Sequence, residues 1–311
     1  MSDIVITEFM DDTPVADLRA RHSVCFDPGL VDDRKALLEA VAPAVAIIVR
    51  NRTQVDAELL DAAPALRVVG RLGVGLDNID LDACQRRGIR VLPATGANDV
   101  AVAEYVICAA LMLRRAAYTA SAQVAAGAWP RAELIGHEVA GHTLGLVGFG
   151  GIARRVAVRA AALGMTIVAH DPMLAADDPC WAAHAVTPVS FDDLLAEADV
   201  ISLHVPLVET TRHLIDEHAI GRMKSTAVVI NSARGGVIDD AALAAALRTG
   251  RIAGAAIDVF EDEPLPADSV YGGFDNVLLT PHIAGVTVQA NQRVSRVTVD
   301  NVLGALDEVR P

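Results

Sequence analysis

The stretch "TLGLVGFGGIARRVAVRAAALGMTIVAHD", Thr143 to Asp171, decides how this chain folds. An apolar run meets Gly148-Phe149-Gly150-Gly151-Ile152-Ala153. An alanine- and arginine-rich helical segment follows, and a second apolar run ends at an acid. Strand, tight turn, helix and strand make a βαβ unit of a parallel sheet. The spacing G-x-G-x-x-A gives each small residue a purpose: Gly148 permits the turn, Gly150 lets the backbone approach a pyrophosphate, and Ala153 lets helix and strand pack closely. The helix N-terminus then offers amides to an anion. Asp171 sits where an acid accepts hydrogen bonds from an adenosine ribose. The following "PMLAADD" brings no cation, so a 2′-phosphate would meet unfavourable charge and NAD is expected over NADP. Gly148, Gly150, Gly151, Ile152 and Asp171 are therefore the expected cofactor contacts. An isolated glycine motif is weak evidence; the flanking strands and the acid make this one specific.

Downstream, "DVISLHV", "TAVVINS", "IAGAAIDV" and "NVLLTPH" continue the alternation, so six strands with intervening helices are expected over residues 98–283, a doubly wound sheet. Upstream, "DIVITEF", "VAIIVR", "LRVVGRL" and "IRVL" outline a smaller α/β domain of four strands. Turn residues cluster at "PATGAND", Pro93 to Asp99, and a long helix begins near Asp99 and runs to about Ala116; the chain crosses between domains there. The stretch after Gly285 reads as one terminal helix that packs back on the first domain. The expected architecture is α/β, with two Rossmann-like or flavodoxin-like domains built on parallel sheets and a cleft between them. Residues 1–97 with 284–311 form a discontinuous substrate-binding domain, and 98–283 the NAD-binding domain. Hinges are expected near 94–98 and 283–286, closing the cleft around the reacting centre.

A length of 311 residues with 52% hydrophobic content suits two cores. The net charge of −14 comes without basic clusters and argues against nucleic acid or an anionic membrane face as partner, though a local pocket can invert the sign for a small anion. Only Lys35 and Lys224 are lysines, so a Schiff-base mechanism has few candidates, whereas arginine suits forked contacts to carboxylate or phosphate. Cys25, Cys84, Cys108 and Cys180 are scattered, which excludes a CxxC zinc site or a disulfide framework and fits a reducing cytoplasm. The acidic start carries no secretory signal, and "VAVAEYVICAALMLRR" is too short and too charged to span a bilayer. "HEVAGH", His137 to His142, misses the zinc-protease spacing, since its histidines are five apart rather than four. No metal is expected.

In an open α/β sheet, ligands bind beyond the carboxyl ends of the strands. Those ends carry His204 and Pro206; Asn231, Ser232 and Arg234; Asp258 and then Glu263; and His282 in "NVLLTPHIAGVT". Each has a plain structural reading: Asp258 as a turn cap, Glu263 as a solvated charge, His282 as a satisfied loop residue. Together they meet the needs of hydride transfer at a carbon beside a carboxylate, which are a proton donor, a cation for the carboxylate and a nicotinamide. A carboxylate paired with an imidazole orients the ring and favours its protonated form; Glu263 is the candidate for His282.

Taken with "GRLGVGLDNID", "NDVAVAEYVI", "SLHVPL", "NSARGGVID", "AAIDVFEDEP" and "TPHIAG", the glycine turn resembles the D-isomer-specific 2-hydroxyacid dehydrogenases over nearly the whole chain, with motifs closest to phosphoglycerate dehydrogenases. The resemblance implies an NAD-dependent oxidoreductase in which Arg234, Glu263 and His282 form the catalytic set. It also implies that His204, Pro206, Ala233 and Asp258 line nicotinamide and ribose, and that backbone around Val74 and Gly75 binds the substrate carboxylate with Asn98 nearby. In "IIVRNRT" it implies Arg50, ahead of Arg52, as the contact to a second anionic group. The expected substrate is a three-carbon 2-hydroxy acid with a second anion: 3-phosphoglycerate first, sulfolactate second, with hydroxypyruvate or glyoxylate reduction behind them. A homodimer through the NAD domain, by way of Tyr105 to Trp129, is expected too. Two departures stand out: Gly151 replaces an arginine common in the turn, and Ala101 a serine common in phosphoglycerate dehydrogenases. No regulatory extension like that of longer relatives is expected. A reading from another class, an NADH-sensing corepressor-like protein on the same fold, shares these residues and is separated from an enzyme by turnover.

Overall fold

The computed structural model describes residues 2–117 and 119–308. In chain order, its strands and helices are β1 (Ile4–Ile6), α1 (Asp12–Arg19), β2 (Val24–Phe26), α2 (Arg34–Val41), β3 (Ala46–Val49), α3 (Ala57–Ala62), β4 (Val68–Arg71), α4 (Leu81–Arg86), β5 (Arg90–Pro93), α5 (Asp99–Arg115), α6 (Ser121–Ala125), β6 (Thr143–Val147), α7 (Gly151–Ala162), β7 (Thr166–His170), α8 (Pro179–Ala183), β8 (Thr187–Pro188), α9 (Phe191–Glu197), β9 (Val200–Leu203), α10 (Glu217–Arg222), β10 (Val228–Asn231), α11 (Asp240–Arg248), β11 (Gly254–Ile257), β12 (Val277–Leu279) and α12 (Val288–Glu308). They divide into two compact units, Met1–Asn98 with Val286–Pro311, and Asp99–Gly285.

The first unit holds a five-stranded parallel sheet in the order β2-β1-β3-β4-β5. Its central strands are buried on both faces, the pattern that parallel sheets require. Ile4, Ile6 and Ile48 pack with α1 and α12 on one side, while Val5, Ile47 and Val49 meet α2, α3 and α4 on the other. Gly70 explains how closely α12 lies on β4, because a Cβ there would sit 2.6 Å from Val302 Cγ2. The pattern of apolar runs finds four of these strands and misses β2. That strand is three half-buried residues at the sheet edge, too short to impose a period.

The second unit holds a seven-stranded parallel sheet, β12-β11-β10-β9-β6-β7-β8. The six expected strands are present. The seventh, β8, is a two-residue edge ending in proline, where ladder hydrogen bonding is dispensable. Order reverses between β6 and β9, the topological switch point of a doubly wound sheet.

Helix capping accounts for part of the acidic excess. Asp11, Asp33, Asp56, Asp80, Asp178, Asp216 and Asp239 accept backbone amides at the starts of α1, α2, α3, α4, α8, α10 and α11. A carboxylate there also complements the helix dipole. Seven of the 40 acidic residues are thus accounted for by helix caps. Among the described residues no helix is long and apolar enough to cross a membrane, and no group of side chains is arranged to hold a metal ion.

Candidate active site

The sheet of the second unit sorts the candidate residues into a row. Read along its carboxyl edge, β12 delivers His282, β11 delivers Asp258 and Glu263, β10 delivers Asn231 to Arg234, β9 delivers His204 and Pro206, β6 delivers Gly148 to Gly151, and β7 delivers Asp171. Five strand intervals at about 4.8 Å separate the ends of the row, roughly 24 Å. That length accommodates an extended ligand with the acid-accepting end at β7 and the titratable end at β12.

Glycine is required in the turn after β6. Gly148 has φ +86°, and a Cβ would stand 2.7 Å from the His204 carbonyl oxygen. Beside Gly150 there is open space. Phe149 donates its amide to Asp171 Oδ2 at 2.8 Å, and Met173 donates to Oδ1 at 2.9 Å, so Asp171 is held facing the turn by both neighbours. Phe149 is fully buried and stacks on Trp181 with ring centroids 4.8 Å apart, while Ala153 is buried in the helix–strand contact. In contrast to the capped helices, α7 carries no side-chain hydrogen bond at its N-cap, Gly150. A glycine cradle opening onto an uncapped helix of 12 residues fits a dinucleotide pyrophosphate. The glycine at 151 has a physical reason: a Cβ would lie 2.5 Å from Asp99 Oδ2. The carboxylate of α5 occupies the space a side chain would need.

At the end of β9, Ser202 Oγ and His204 Nε2 are 3.0 Å apart. Burial pushes the His204 imidazole down to about 4, so it is neutral near physiological pH and makes a poor proton donor. Pro206 is exposed, and its carbonyl accepts the Thr211 hydroxyl at 2.6 Å.

The loop after β10 is organised by Asn231, which is 2% exposed. Its Oδ1 accepts the Ala233 amide at 3.0 Å and its Nδ2 donates to the Arg234 carbonyl at 2.9 Å. Arg234 in turn donates from Nη1 to the Ala233 carbonyl at 2.6 Å. A Cβ on Gly235 would overlap the Phe260 carbonyl at 2.0 Å, so the loops after β10 and β11 touch through backbone.

Beyond β11 and β12 the expected histidine–carboxylate pair is present. Glu263 Oε2 lies 2.9 Å from His282 Nδ1, and Glu263 Oε1, 3.2 Å from the same atom, also accepts the Phe260 amide at 3.1 Å. Nε2, on the far side of the half-exposed ring, is the atom left to exchange a proton. His282 itself has φ +56°, in the left-handed region that few non-glycine residues adopt. Asp258, 1% exposed, holds that turn: Oδ1 accepts the Ile283 amide at 2.8 Å and the Thr280 hydroxyl at 2.6 Å, and Oδ2 accepts the Ala284 amide at 2.8 Å.

Four expected residues lie in the first unit. Arg50 follows β3, donates to Asn291 Oδ1 at 3.0 Å and is partly desolvated, which lowers its pKa against the opposing pull of Glu8. Arg52 pairs instead with Asp32. Buried Glu8 accepts the amides of Arg50, Arg52 and Thr53 at 2.8, 3.1 and 3.0 Å and so shapes the whole 50–53 loop. Val74 is exposed and Gly75 half-buried in the loop after β4. Asn98 ends the unit with its Oδ1 buried and unbonded among the described residues. Glu8, Asn231, Thr280 and Tyr105, whose hydroxyl is 2.6 Å from Thr280 Oγ1, gained no role from the sequence; only Asn231, as a strand-end amide, offered a signal.

Residues 107–284 match the family model described as the NAD-binding domain of D-isomer specific 2-hydroxyacid dehydrogenases. An (S)-sulfolactate dehydrogenase of Chromohalobacter salexigens is 58% identical over 306 residues, covering 98% of this chain and 99% of that one. A D-3-phosphoglycerate dehydrogenase of Mycobacterium leprae is 42% identical over 88% of this chain, which spans only 51% of that relative's length. The crystal structure of D-lactate dehydrogenase from Aquifex aeolicus, complexed with NAD and lactic acid, superposes with a TM-score of 0.84 at 30% identity, covering 98% of this chain and 97% of that one. The glycine turn, the ordered row of strand-end residues and these matches lead to one conclusion: the chain belongs to the D-isomer-specific 2-hydroxyacid dehydrogenases and is an NAD-dependent oxidoreductase.

Proposed function

We propose that this enzyme interconverts a three-carbon 2-hydroxy acid bearing a second anion with its 2-oxo acid, and that the second anion is a sulfonate. When bound, NADH supplies the hydride for the carbonyl carbon. His282 Nε2 gives the proton that the reduced oxygen needs, with Glu263 orienting the ring, and takes it back in oxidation. Arg234 neutralises the substrate carboxylate and polarises the ketone, and the backbone at Val74 and Gly75, with Asn98, is assigned to carboxylate binding. Ala233, His204, Pro206 and Asp258 shape the nicotinamide end, and the glycine turn with Asp171 the pyrophosphate and adenosine end.

The observation that carries the substrate reading is the 50–53 loop. Arg52 pairs with Asp32 in solvent, whereas Arg50, bonded to the neutral Asn291 amide and partly desolvated beside the Glu8 carboxylate, is the cation assigned to the second anion. One guanidinium beside a carboxylate matches a singly charged sulfonate better than a phosphate monoester of charge about −1.5 to −2. Full-length similarity to a sulfolactate dehydrogenase supports placing sulfolactate ahead of 3-phosphoglycerate. Steady-state kinetics over sulfolactate and 3-phosphoglycerate with NAD or NADP, and over hydroxypyruvate and glyoxylate with NADH or NADPH, tests this, sulfolactate with NAD being expected to show the highest kcat/KM of the hydroxy acids. Arg50→Ala is expected to raise KM for the sulfonate by about 100-fold, the loss of a charge-assisted pair, and to leave hydroxypyruvate within threefold. Equal losses on both acids would remove Arg50 from second-anion recognition.

The proposal includes a homodimer formed through the NAD-binding unit. Trp129 and Ile135 are 75% and 81% exposed and are the apolar side chains assigned to that contact. The segment Tyr105 to Trp129 includes Tyr118, which lies outside the described residues, and Tyr105 points its hydroxyl inward to Thr280. Light scattering after size exclusion is expected to give twice the 32.6 kDa chain mass and, for Trp129→Glu with Ile135→Glu, a single chain mass. A wild-type monomer would remove the dimer from the proposal.

A further inference from the structure

The turn that carries His282 is tied to α5 by a chain of hydrogen bonds. Thr280 Oγ1 lies 2.6 Å from Asp258 Oδ1 and 2.6 Å from Tyr105 Oη. A hydroxyl has one proton, and the Asp258 carboxylate can only accept it, so Thr280 donates to Asp258 and Tyr105 must donate to Thr280. Asp258 then spends its carboxylate on Thr280 and the amides of Ile283 and Ala284, while its own carbonyl accepts the His282 amide at 2.8 Å. Burial raises the Tyr105 phenol above its ordinary value, which keeps it a donor. Nothing else described bonds the Thr280 hydroxyl, and without it the Asp258 carboxylate would lose one of the three contacts that define its orientation.

We infer that Tyr105 and Thr280 are positioning residues for proton transfer: through Asp258 they hold the left-handed turn that aims the His282 imidazole. The strained φ at His282 gives the chain its purpose, because a side chain in that conformation persists only where its surroundings over-determine it. Tyr105 lies on a helix of 17 residues, so the turn is referenced to a rigid element rather than to another loop. The inference rests on His282 as the proton donor proposed above.

The test is Thr280→Val, which keeps shape and removes the hydroxyl, beside Thr280→Ser, which restores it. Thr280→Val is expected to lower kcat for 2-oxo acid reduction by roughly 10- to 100-fold, the loss associated with an ångström-scale misplacement of a catalytic group. NADH affinity, read by nucleotide fluorescence, is expected to stay within twofold, and Thr280→Ser to return kcat to within about threefold of wild type. Tyr105→Phe is expected to lower kcat by less, and to add nothing in the Thr280→Val background, because both act through one chain. Thr280→Val with unchanged kcat, a loss that Thr280→Ser does not recover, or additive losses in the double variant would each overturn the inference. A folded Thr280→Val enzyme of lower Tm but full kcat would assign the chain to stability alone. If His282→Gln turns over at the wild-type rate, the proton-donor reading fails first and this inference falls with it. If His282→Gln is inactive and Thr280→Val is not, only the inference fails.

Discussion

Replacing His282 by Gln is expected to lower kcat for 2-oxo acid reduction by about 1,000-fold, within the range that general acid catalysis contributes. That factor corresponds to about 4 kcal/mol of transition-state stabilisation. Glutamine keeps an amide that can donate to Glu263, so the turn and its link to the Phe260 amide have reason to survive. It offers no proton of suitable acidity to the developing alkoxide. NADH binding is expected to be unaffected, because the glycine turn and Asp171 lie at the opposite end of the strand row. His204 is not a substitute donor: burial holds it neutral near physiological pH and Ser202 engages its Nε2. A Gln variant retaining more than a tenth of the wild-type kcat would remove His282 from proton transfer. Glu263→Gln is expected to show a smaller loss, since it disturbs orientation and charge without removing the acid.

The second large effect is expected at Arg234. Substitution by Gln should lower kcat/KM by about 100- to 1,000-fold, with losses in both KM and kcat. A guanidinium that both pairs with a carboxylate and polarises the reacting ketone contributes to ground state and transition state alike. Asn231 fixes the Arg234 backbone through its own side-chain amide, so the loop is expected to keep its course when the side chain changes. Arg234→Lys is expected to recover only part of the loss, because an ammonium cannot present a planar fork. Steady-state kinetics on the best substrate of the panel decides the matter. A Lys variant equal to wild type would show that charge alone is needed, and an unchanged Gln variant would remove Arg234 from the site.

The two departures noted in the sequence differ in how they resolve. At Gly151 the structure supplies the reason: Asp99, on the helix that begins the second unit, stands where a side chain would go. A side chain at 151 would therefore displace the Asp99 carboxylate. At Ala101, buried in α5, nothing in the structure explains the replacement.

The βα turn and the alternation of strands and helices were legible because each depends on residues close in sequence. Gly148 needs its positive φ whatever lies elsewhere, and an apolar run followed by a helical period folds one way. His282 and Glu263 were legible as candidates because both follow strands. What only the tertiary structure decided is which side chains those residues meet. The switch between β6 and β9 lines six strand ends into one row, and no local pattern encodes that order. Asp258 reads in sequence as one more strand-end acid, yet packing turns its carboxylate onto the Ile283 and Ala284 amides. Glu8, at the end of β1, becomes the anchor of a loop 42 residues away. Arg52 pairs with Asp32, and Arg50 with Asn291. Local dihedral preference and hydrophobic period set the elements; the contacts that choose among equivalent charges form only when distant segments are buried together.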